Sequence, residues 1–466
     1  MKICLISPPY NSAVKSVLGV TSPPLGLAYL ASMVRNNHEV KIIDANVLNY
    51  TMDDVKREIK NFSPDVVGIT AVTPSIFQAY EVAKAAKEID ENLFVVMGGP
   101  HVSFLPVQTL EECKAVDLVV KGEGERTFAA VIETIEKGKS LDSVKGIAFR
   151  KGEKIIEHEM AEIIENIDEI PFPSRDLLPI DKYEFNGQRY TAMLTSRGCP
   201  FRCSFCVSSR LFGGYWRGRS PENVLAELKS VYEDFGIRNI EFVDDTFSLN
   251  RRRAEAICEG MIREKLDVVW GASARVDTLS PSLLEKMKKA GCWIIYLGIE
   301  SGSQKVLDAI GKRITLQKAE RAVEMINEAG IQVLGSFIIG FPQDDEKTIR
   351  ETIRFAKKLN LDYAQFSILT PYPGTPIYDD SIAQNTLLVR DWSKYTALDP
   401  IVKIASVSQK KLSLFIQKAY LSFYLRPKVI MKWLVNKQLP LIRSAISGAF
   451  DYLKNAGAIS SVTHSS

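Results

Sequence analysis

Three cysteines within eight residues constrain this chain more than anything else in it. They stand in Arg197-Gly198-Cys199-Pro200-Phe201-Arg202-Cys203-Ser204-Phe205-Cys206, at Cys-x3-Cys-x2-Cys spacing, directly after the apolar run Tyr190–Thr195. Three thiols this close cannot all pair with one another, and a single disulfide has no use for the third. Three converging thiolates can hold three irons of a cubane cluster and leave the fourth iron open for a small ligand. A structural zinc knuckle short of one ligand, or three unrelated loop cysteines, is the plainer alternative. Phe205 before the last cysteine and the α/β pattern that follows both suit the cluster.

The 466 residues are enough for two or three domains with sizeable cores. A net charge of only +3 gives no general signal for nucleic acid. The other cysteines, Cys4, Cys113, Cys258 and Cys292, lie far apart, mostly in apolar segments, and read as small buried hydrophobes of a reducing compartment. That points to the cytoplasm. Met1 to Pro9 is too short and too proline-stopped for a signal peptide, and no run of about 18 apolar residues suggests a membrane span.

Residues 1–140 alternate strand and helix patterns. The runs Lys2–Ser7, Val40–Asp44, Val66–Val72, Phe94–Met97 and Val116–Val120 are separated by helical stretches such as Leu25–Val34 and Ile76–Ile89. This rhythm predicts an α/β fold, a doubly wound, Rossmann-like parallel sheet with ligands bound beyond the strand carboxyl ends. Those ends carry Pro9 and Tyr10, Thr70 and Thr73, Gly98, Gly99, Pro100 and His101, and Gly122 and Glu123. Glycines let a ligand approach the backbone, and hydroxyls can line a buried pocket. Taken with Leu25 and Gly26 in Ser22-Pro23-Pro24-Leu25-Gly26-Leu27, this set resembles the cobalamin-binding domain placed before many radical S-adenosylmethionine (SAM) enzymes. The Asp-x-His-x-x-Gly pattern that supplies a histidine to cobalt in classical cobalamin domains is absent. The resemblance therefore implies cobalamin without a protein histidine beneath its cobalt, and His101 as a pocket-wall or hydrogen-bonding residue.

Residues 141–185 read as a connector with a hairpin around Lys151-Gly152-Glu153 and a break at Ile170-Pro171-Phe172-Pro173. Residues 186–385 repeat strand and helix six times, which predicts a (βα)6 partial TIM barrel with its chemistry at the strand carboxyl ends. Asp244 follows the second strand, Arg275 the third, Glu300 and Ser301 the fourth, and Gly340-Phe341-Pro342 the fifth. The cysteine loop and these strand-end motifs resemble the core of radical SAM enzymes. The resemblance implies a [4Fe-4S] cluster on Cys199, Cys203 and Cys206. It also implies SAM near Phe205, with Glu300 and Ser301 as polar contacts, Arg275 facing the carboxylate and Gly340 against the adenine. Asp244 stays open between SAM contact, substrate contact and helix capping.

The tail, 386–466, reads as helical, basic and aromatic. From Lys403 to Lys454 there are ten Lys or Arg and one acid, Asp451. Val429-Ile430-x2-Trp433-Leu434 has helical spacing. Such a segment can lie in a membrane interface, or it can cap the barrel with solvated lysines; the sequence leaves both open.

The combined resemblance implies reductive cleavage of SAM to a 5′-deoxyadenosyl radical that takes hydrogen from an unactivated carbon, followed by C-methylation of a hydrophobic, lipid-like substrate from cobalamin. Ring closure or carbon–carbon bond formation on a membrane lipid is the alternative. A ferredoxin- or flavodoxin-type electron donor is the implied partner, with peripheral membrane contact through the tail and no nucleic acid.

Overall fold

The computed structural model describes residues 1–10, 21–427 and 429. Two seven-stranded sheets organise these residues. In the first, β1 (Lys2–Ser7), β2 (Glu39–Asp44), β3 (Val66–Thr70), β4 (Phe94–Gly98) and β5 (Leu118–Val120) run parallel in the order β2-β1-β3-β4-β5. Their β-branched, nearly unbroken apolar runs are what a sheet covered on both faces requires. Residues of β1 and β3 pack on one side with Val55, Ile59 and Ile76, and on the other with Leu27, Phe128 and Val131. The strand order reverses between β1 and β3, so the crevice expected to take a ligand opens at the ends of those strands.

The hairpin in the predicted connector joins this sheet. Strands β6 (Ile147–Lys151) and β7 (Lys154–Glu157) add antiparallel to the β5 edge. Ile147, Ala148 and Phe149 are buried there, which gives the hairpin an apolar reason to dock.

The second sheet begins with the short antiparallel β8 (Glu184–Phe185) beside β9 (Gln188–Met193). Parallel strands β12 (Asn239–Phe242), β13 (Val269–Ala274), β14 (Cys292–Glu300), β15 (Gln332–Ile339) and β16 (Tyr363–Ile368) follow in neighbouring order. The short strands β10 (Ser196–Arg197) and β11 (Arg217–Gly218) pair with each other outside this sheet. Among the described residues β16 does not pair with β9, so the six-stranded barrel is open. Helices such as Pro221–Phe235 and Pro281–Lys289 start as their sequence suggests, with Ser220 and Ser280 accepting from the third helical N–H and proline in the first position.

The C-terminal region adds a strap that its composition does not suggest and, over 409–424, takes the barrel-capping role that the sequence leaves open. Residues 386–402 form an irregular strap over the first domain, where Trp392, Tyr395, Ile401 and Val402 complete the core containing Val102 and Leu110. The helix Gln409–Tyr424 then covers the free edge of β16. The Tyr420 hydroxyl accepts from Phe366 N–H (3.2 Å) and donates to Phe366 C=O (3.0 Å), and Tyr424 does the same for Ala364 at 3.2 and 2.9 Å. Two phenols thus satisfy edge groups that would otherwise be open to pairing. Over 409–424 the helix is a cap on the barrel, with Leu412, Phe415, Ile416, Ala419 and Phe423 buried. Ile430, Trp433 and Leu434 lie outside the described residues. Among the described residues no helix is long and apolar enough to cross a membrane.

Candidate active site

The cysteine loop springs from the end of β9 and is closed at its base by β10 and β11, which pair Ser196 with Gly218 and Arg197 with Arg217. Between them the loop is fixed at both ends of its turn. Ser204 N–H donates to Ile310 C=O (3.0 Å), Ile377 N–H donates to Ser204 C=O (3.1 Å), and Cys206 N–H donates to Cys203 C=O (3.1 Å). Cys203 is buried, while Cys199 and Cys206 are half-buried. Burial holds the thiols of Cys199 and Cys203 above the ordinary range, and for Cys203 the nearby Lys312 and Arg275 pull the other way.

Among the described residues no three Cys, His, Asp or Glu side chains converge closely enough for one metal ion. A mononuclear zinc site needs that convergence, but a cubane does not, because each thiolate takes a different iron. Cys199, Cys203 and Cys206, on one loop fixed at both ends, are the three thiolates that a four-iron cluster with one open iron would take.

The strand-end residues gather beside Cys203. Glu300, in left-handed conformation at φ 68°, is ion-paired with Lys312 at 2.7 Å, both buried. Arg275 donates to both carboxylate oxygens of Asp277 at 3.0 Å and to Lys312 C=O, and its guanidinium lies 3.5 Å over the Phe201 ring. Fixed charges of both signs thus flank the loop, as an amino-acid zwitterion would need. Phe205 packs edge-on against Phe341 at 5.7 Å, and the N–H groups of Gly340 and Phe341 both donate to Asp344.

Two expected contacts are otherwise employed. The Ser301 hydroxyl bonds Thr352 and accepts from Ser303 N–H, which ties strand end to helix. Asp244 is fully buried and accepts from Thr195 N–H (2.7 Å), Thr195 Oγ1 (2.5 Å) and Ser196 Oγ (2.6 Å). It fixes the chain just before the cysteine loop, and both its oxygens are taken.

Beyond the ends of β3 and β4 lies a cavity of about 310 Å³. Leu25, Gly26, Thr70, Gly98, Gly99, Pro100, Gly122 and Glu123 all line it, and so do Leu194, Arg197, Leu211, Phe212 and Val243 from the barrel side. One space is therefore walled by both domains. Gly99 is obligatory: at φ 107° its missing Cβ would stand 2.5 Å from Ala71 O. This glycine-lined, mostly apolar wall fits the flank of a large flat cofactor.

Thr73 and His101 do not line the cavity. The hydroxyl of Thr73 and Nδ1 of His101 are 3.2 Å apart, and the imidazole packs edge-on against Trp392 of the strap at 4.9 Å. Burial lowers the His101 pKa to about 4, so the ring is neutral and faces the core. Pro9 and Tyr10, at the β1 end, are also outside the cavity lining. Tyr10 sits close enough to Asp44 for burial and that carboxylate together to raise its hydroxyl pKa.

The barrel interior adds one group that sequence reasoning missed. On β12, Ile240 and Phe242 are buried against the helices, while Asn239 and Glu241 take the opposite, inward face. The Tyr296 hydroxyl on β14 donates to Glu241 Oε2 at 3.1 Å. Burial pushes the Glu241 carboxyl up to about 7, with the Tyr296 bond opposing it. Among the described residues no cation pairs with it, unlike Glu300. An acid at an inward position of a parallel barrel strand was the available signal.

With this geometry in hand, comparison with known proteins gives a consistent answer. A B12 binding domain model matches residues 11–132 and a Radical SAM superfamily model matches residues 193–356. The chain is 49% identical to an uncharacterized methyltransferase of Pyrococcus horikoshii over 96% of its length and 98% of the relative. The chain belongs to the cobalamin-binding radical SAM enzyme family. It is 31% identical to the anaerobic magnesium-protoporphyrin IX monomethyl ester cyclase of Cereibacter sphaeroides, over 91% of this chain and 71% of that one. The fold matches the cobalamin-dependent SAM radical enzyme OxsB, solved with aqua-cobalamin and SAM bound, with a TM-score of 0.73 at 20% identity over 96% of this chain and 72% of that one. The cofactors of this family member are therefore the [4Fe-4S] cluster, SAM and cobalamin, and it requires a reductant.

Proposed function

We propose that this enzyme methylates an unactivated carbon of a small molecule held in the barrel interior, between the cysteine loop and the cobalamin domain. The observation that carries the reading is the shared cavity: Gly98, Gly99 and Gly122 of the first domain and Leu194, Arg197 and Val243 of the barrel wall the same space. When bound, the cluster, SAM and cobalamin supply a carbon-centred radical and a methyl group to meet it. Cys199, Cys203 and Cys206 hold the cluster, and Phe205, Phe341 and Gly340 form an apolar slot beside it. Glu300 with Lys312, and Arg275, orient the amino and carboxylate ends of SAM. The glycine wall, with Leu194, Leu211, Phe212 and Val243 facing it, excludes water and stray hydrogen donors from the cleft.

The inward face of β15 carries Gln332, Leu334, Ser336 and Ile338 in alternation, and β12 adds Glu241. A substrate with a hydrophobic body and at least one hydrogen-bonding group suits this lining better than a pure hydrocarbon. A ferredoxin- or flavodoxin-type protein is the proposed electron donor, the cytoplasm the proposed compartment, and peripheral membrane contact would have to come through the basic tail. Ring closure is the second reading, favoured by the 31% identity to the cyclase.

SAM bearing a trideuterated methyl group separates the two. The methylation reading expects a product heavier by the labelled methyl group. An unlabelled, dehydrogenated or cyclised product formed together with 5′-deoxyadenosine would replace it with ring closure.

A further inference from the structure

The two feet of the cysteine loop are held by the cobalamin domain. Arg197 on β10 and Arg217 on β11 reach the same carboxylate from adjacent strands: Arg197 Nη1 lies 2.9 Å from Glu123 Oε1, and Arg217 Nη1 lies 2.7 Å from Glu123 Oε2. Arg197 also pairs with Glu125 at 2.5 Å, and its guanidinium lies 5.4 Å over the Tyr29 ring. Ile164 N–H donates to Glu123 Oε2 as well, so both oxygens of Glu123 are occupied.

All four side chains are at least nine-tenths buried. Buried pairs of this kind return little net stability, because desolvation consumes most of the attraction. This one is also incompletely satisfied: Glu125 Oε2 and Arg217 Nε and Nη2 have no partner among the described residues. A core designed for stability alone would do better with apolar residues. The segment bearing both acids, residues 122–125, at the same time lines the cavity shared by the two domains. Glu123, Glu125 and Arg197 thus both border whatever fills the cavity and grip the base of the loop two residues before Cys199.

We propose that Glu123, Glu125, Arg197 and Arg217 are positioning residues that couple occupancy of the cobalamin cavity to the geometry of the cluster loop. Because such coupling is reciprocal, a cluster that orders the loop must tighten cobalamin by the same factor by which cobalamin favours the loaded loop. The inference rests on both cofactors being held by one chain and is independent of which carbon is methylated.

The test uses the full-length chain under anaerobic conditions with hydroxocobalamin as the probe. Its Kd is measured with the cluster reconstituted and in a cluster-free chain carrying Cys199→Ala, Cys203→Ala and Cys206→Ala. The clamp predicts binding about tenfold tighter with the cluster, inside the roughly 5–150-fold range of typical coupling. Glu125→Gln, close in shape but uncharged, is predicted to shrink that ratio toward one while both cofactors still load. Arg217→Lys, which keeps the charge but loses the fork, should shrink it partly, and it stands in should Glu125→Gln fail to fold. A wild-type ratio of one overturns the proposal. So does a variant that weakens both Kd values in parallel with the ratio intact, which is what a merely structural ion cluster would do.

Discussion

Replacing Gly198 by alanine should cost the protein its cluster, and a second glycine in the same loop provides the control. Gly198 stands between Arg197 and Cys199 at φ 81°, where an added Cβ would lie 2.1 Å from Tyr215 O and 3.1 Å from Phe212 Cβ. The left-handed backbone alone costs an alanine about 1–2 kcal/mol. The clash costs more. Carbon–oxygen contacts settle at about 3.3–3.6 Å, so the loop foot would have to move by more than about 1 Å. Tyr215 O is backbone two residues before Arg217 of β11 and cannot rotate away. A shift of that size directly before Cys199 displaces one thiol relative to the other two. Gly213, at φ 67°, has no heavy atom closer than 3.7 Å to its added Cβ. Gly213→Ala therefore carries only the backbone cost of about 1–2 kcal/mol. Iron and sulfide content with the visible absorbance after anaerobic reconstitution are the readouts. Gly198→Ala should retain well under half of the wild-type iron, and Gly213→Ala nearly all of it. Equal loading of the two variants would refute the strained loop foot as the anchor of Cys199.

Three further outcomes are expected. The Glu241 carboxyl is raised from its ordinary 4.5 to about 7, so it is neutral in the fold over a range where it is ionised when unfolded. Its stabilising contribution is complete below about pH 4.5 and is lost as pH rises through about 7. At about 1.4 kcal/mol per unit, the stability of wild type relative to Glu241→Gln should fall by up to about 3 kcal/mol between these limits; a difference that stays flat in urea unfolding at pH 5 and pH 8 would contradict it. Lys312→Met leaves buried Glu300 without its cation, a loss of about 3–5 kcal/mol, and should weaken SAM at least about tenfold in equilibrium dialysis; unchanged SAM binding would remove the pair from the SAM site. Trp392→Ala removes the ring on His101 at about 3–5 kcal/mol and should open residues 386–402 to limited proteolysis while the cluster absorbance persists, whereas an equally resistant strap would show that it is held elsewhere.

The architecture was legible because its signals are local. Strand and helix periods, serine–proline helix starts and the cysteine spacing all act within a few residues, and the six strand–helix repeats expected over 186–385 appear as the six barrel strands β9 and β12 to β16. The pairing of charges was not legible. Arg197 and Arg217 meet Glu123 across 74 and 94 residues, and no periodic pattern announces such a contact. Glu123 therefore read as a ligand residue because of its neighbours, Gly122 and Gly124. Thr73 and His101 lie outside the cavity lining for a geometric reason: just past Gly99-Pro100, His101 sits on the first turn of helix Pro100–Phe104 and is buried in the core, where it bonds Thr73. Asp244 and Asp245 look alike in sequence, yet the first turns to Thr195 and the second to Ser208. The strap 386–402 has no period to read, and its place is set by Trp392 and Tyr395 finding an apolar surface far away in the chain.

Counting both SAM products in one reaction vial shows whether the two cofactor domains act on one substrate. With reductant, cobalamin and substrate present, 5′-deoxyadenosine and S-adenosylhomocysteine should form in equal amounts, one of each per methylated product, and neither should form from the Cys203→Ala chain beyond background. Sustained 5′-deoxyadenosine formation with product but without S-adenosylhomocysteine would contradict methyl transfer by the paired domains.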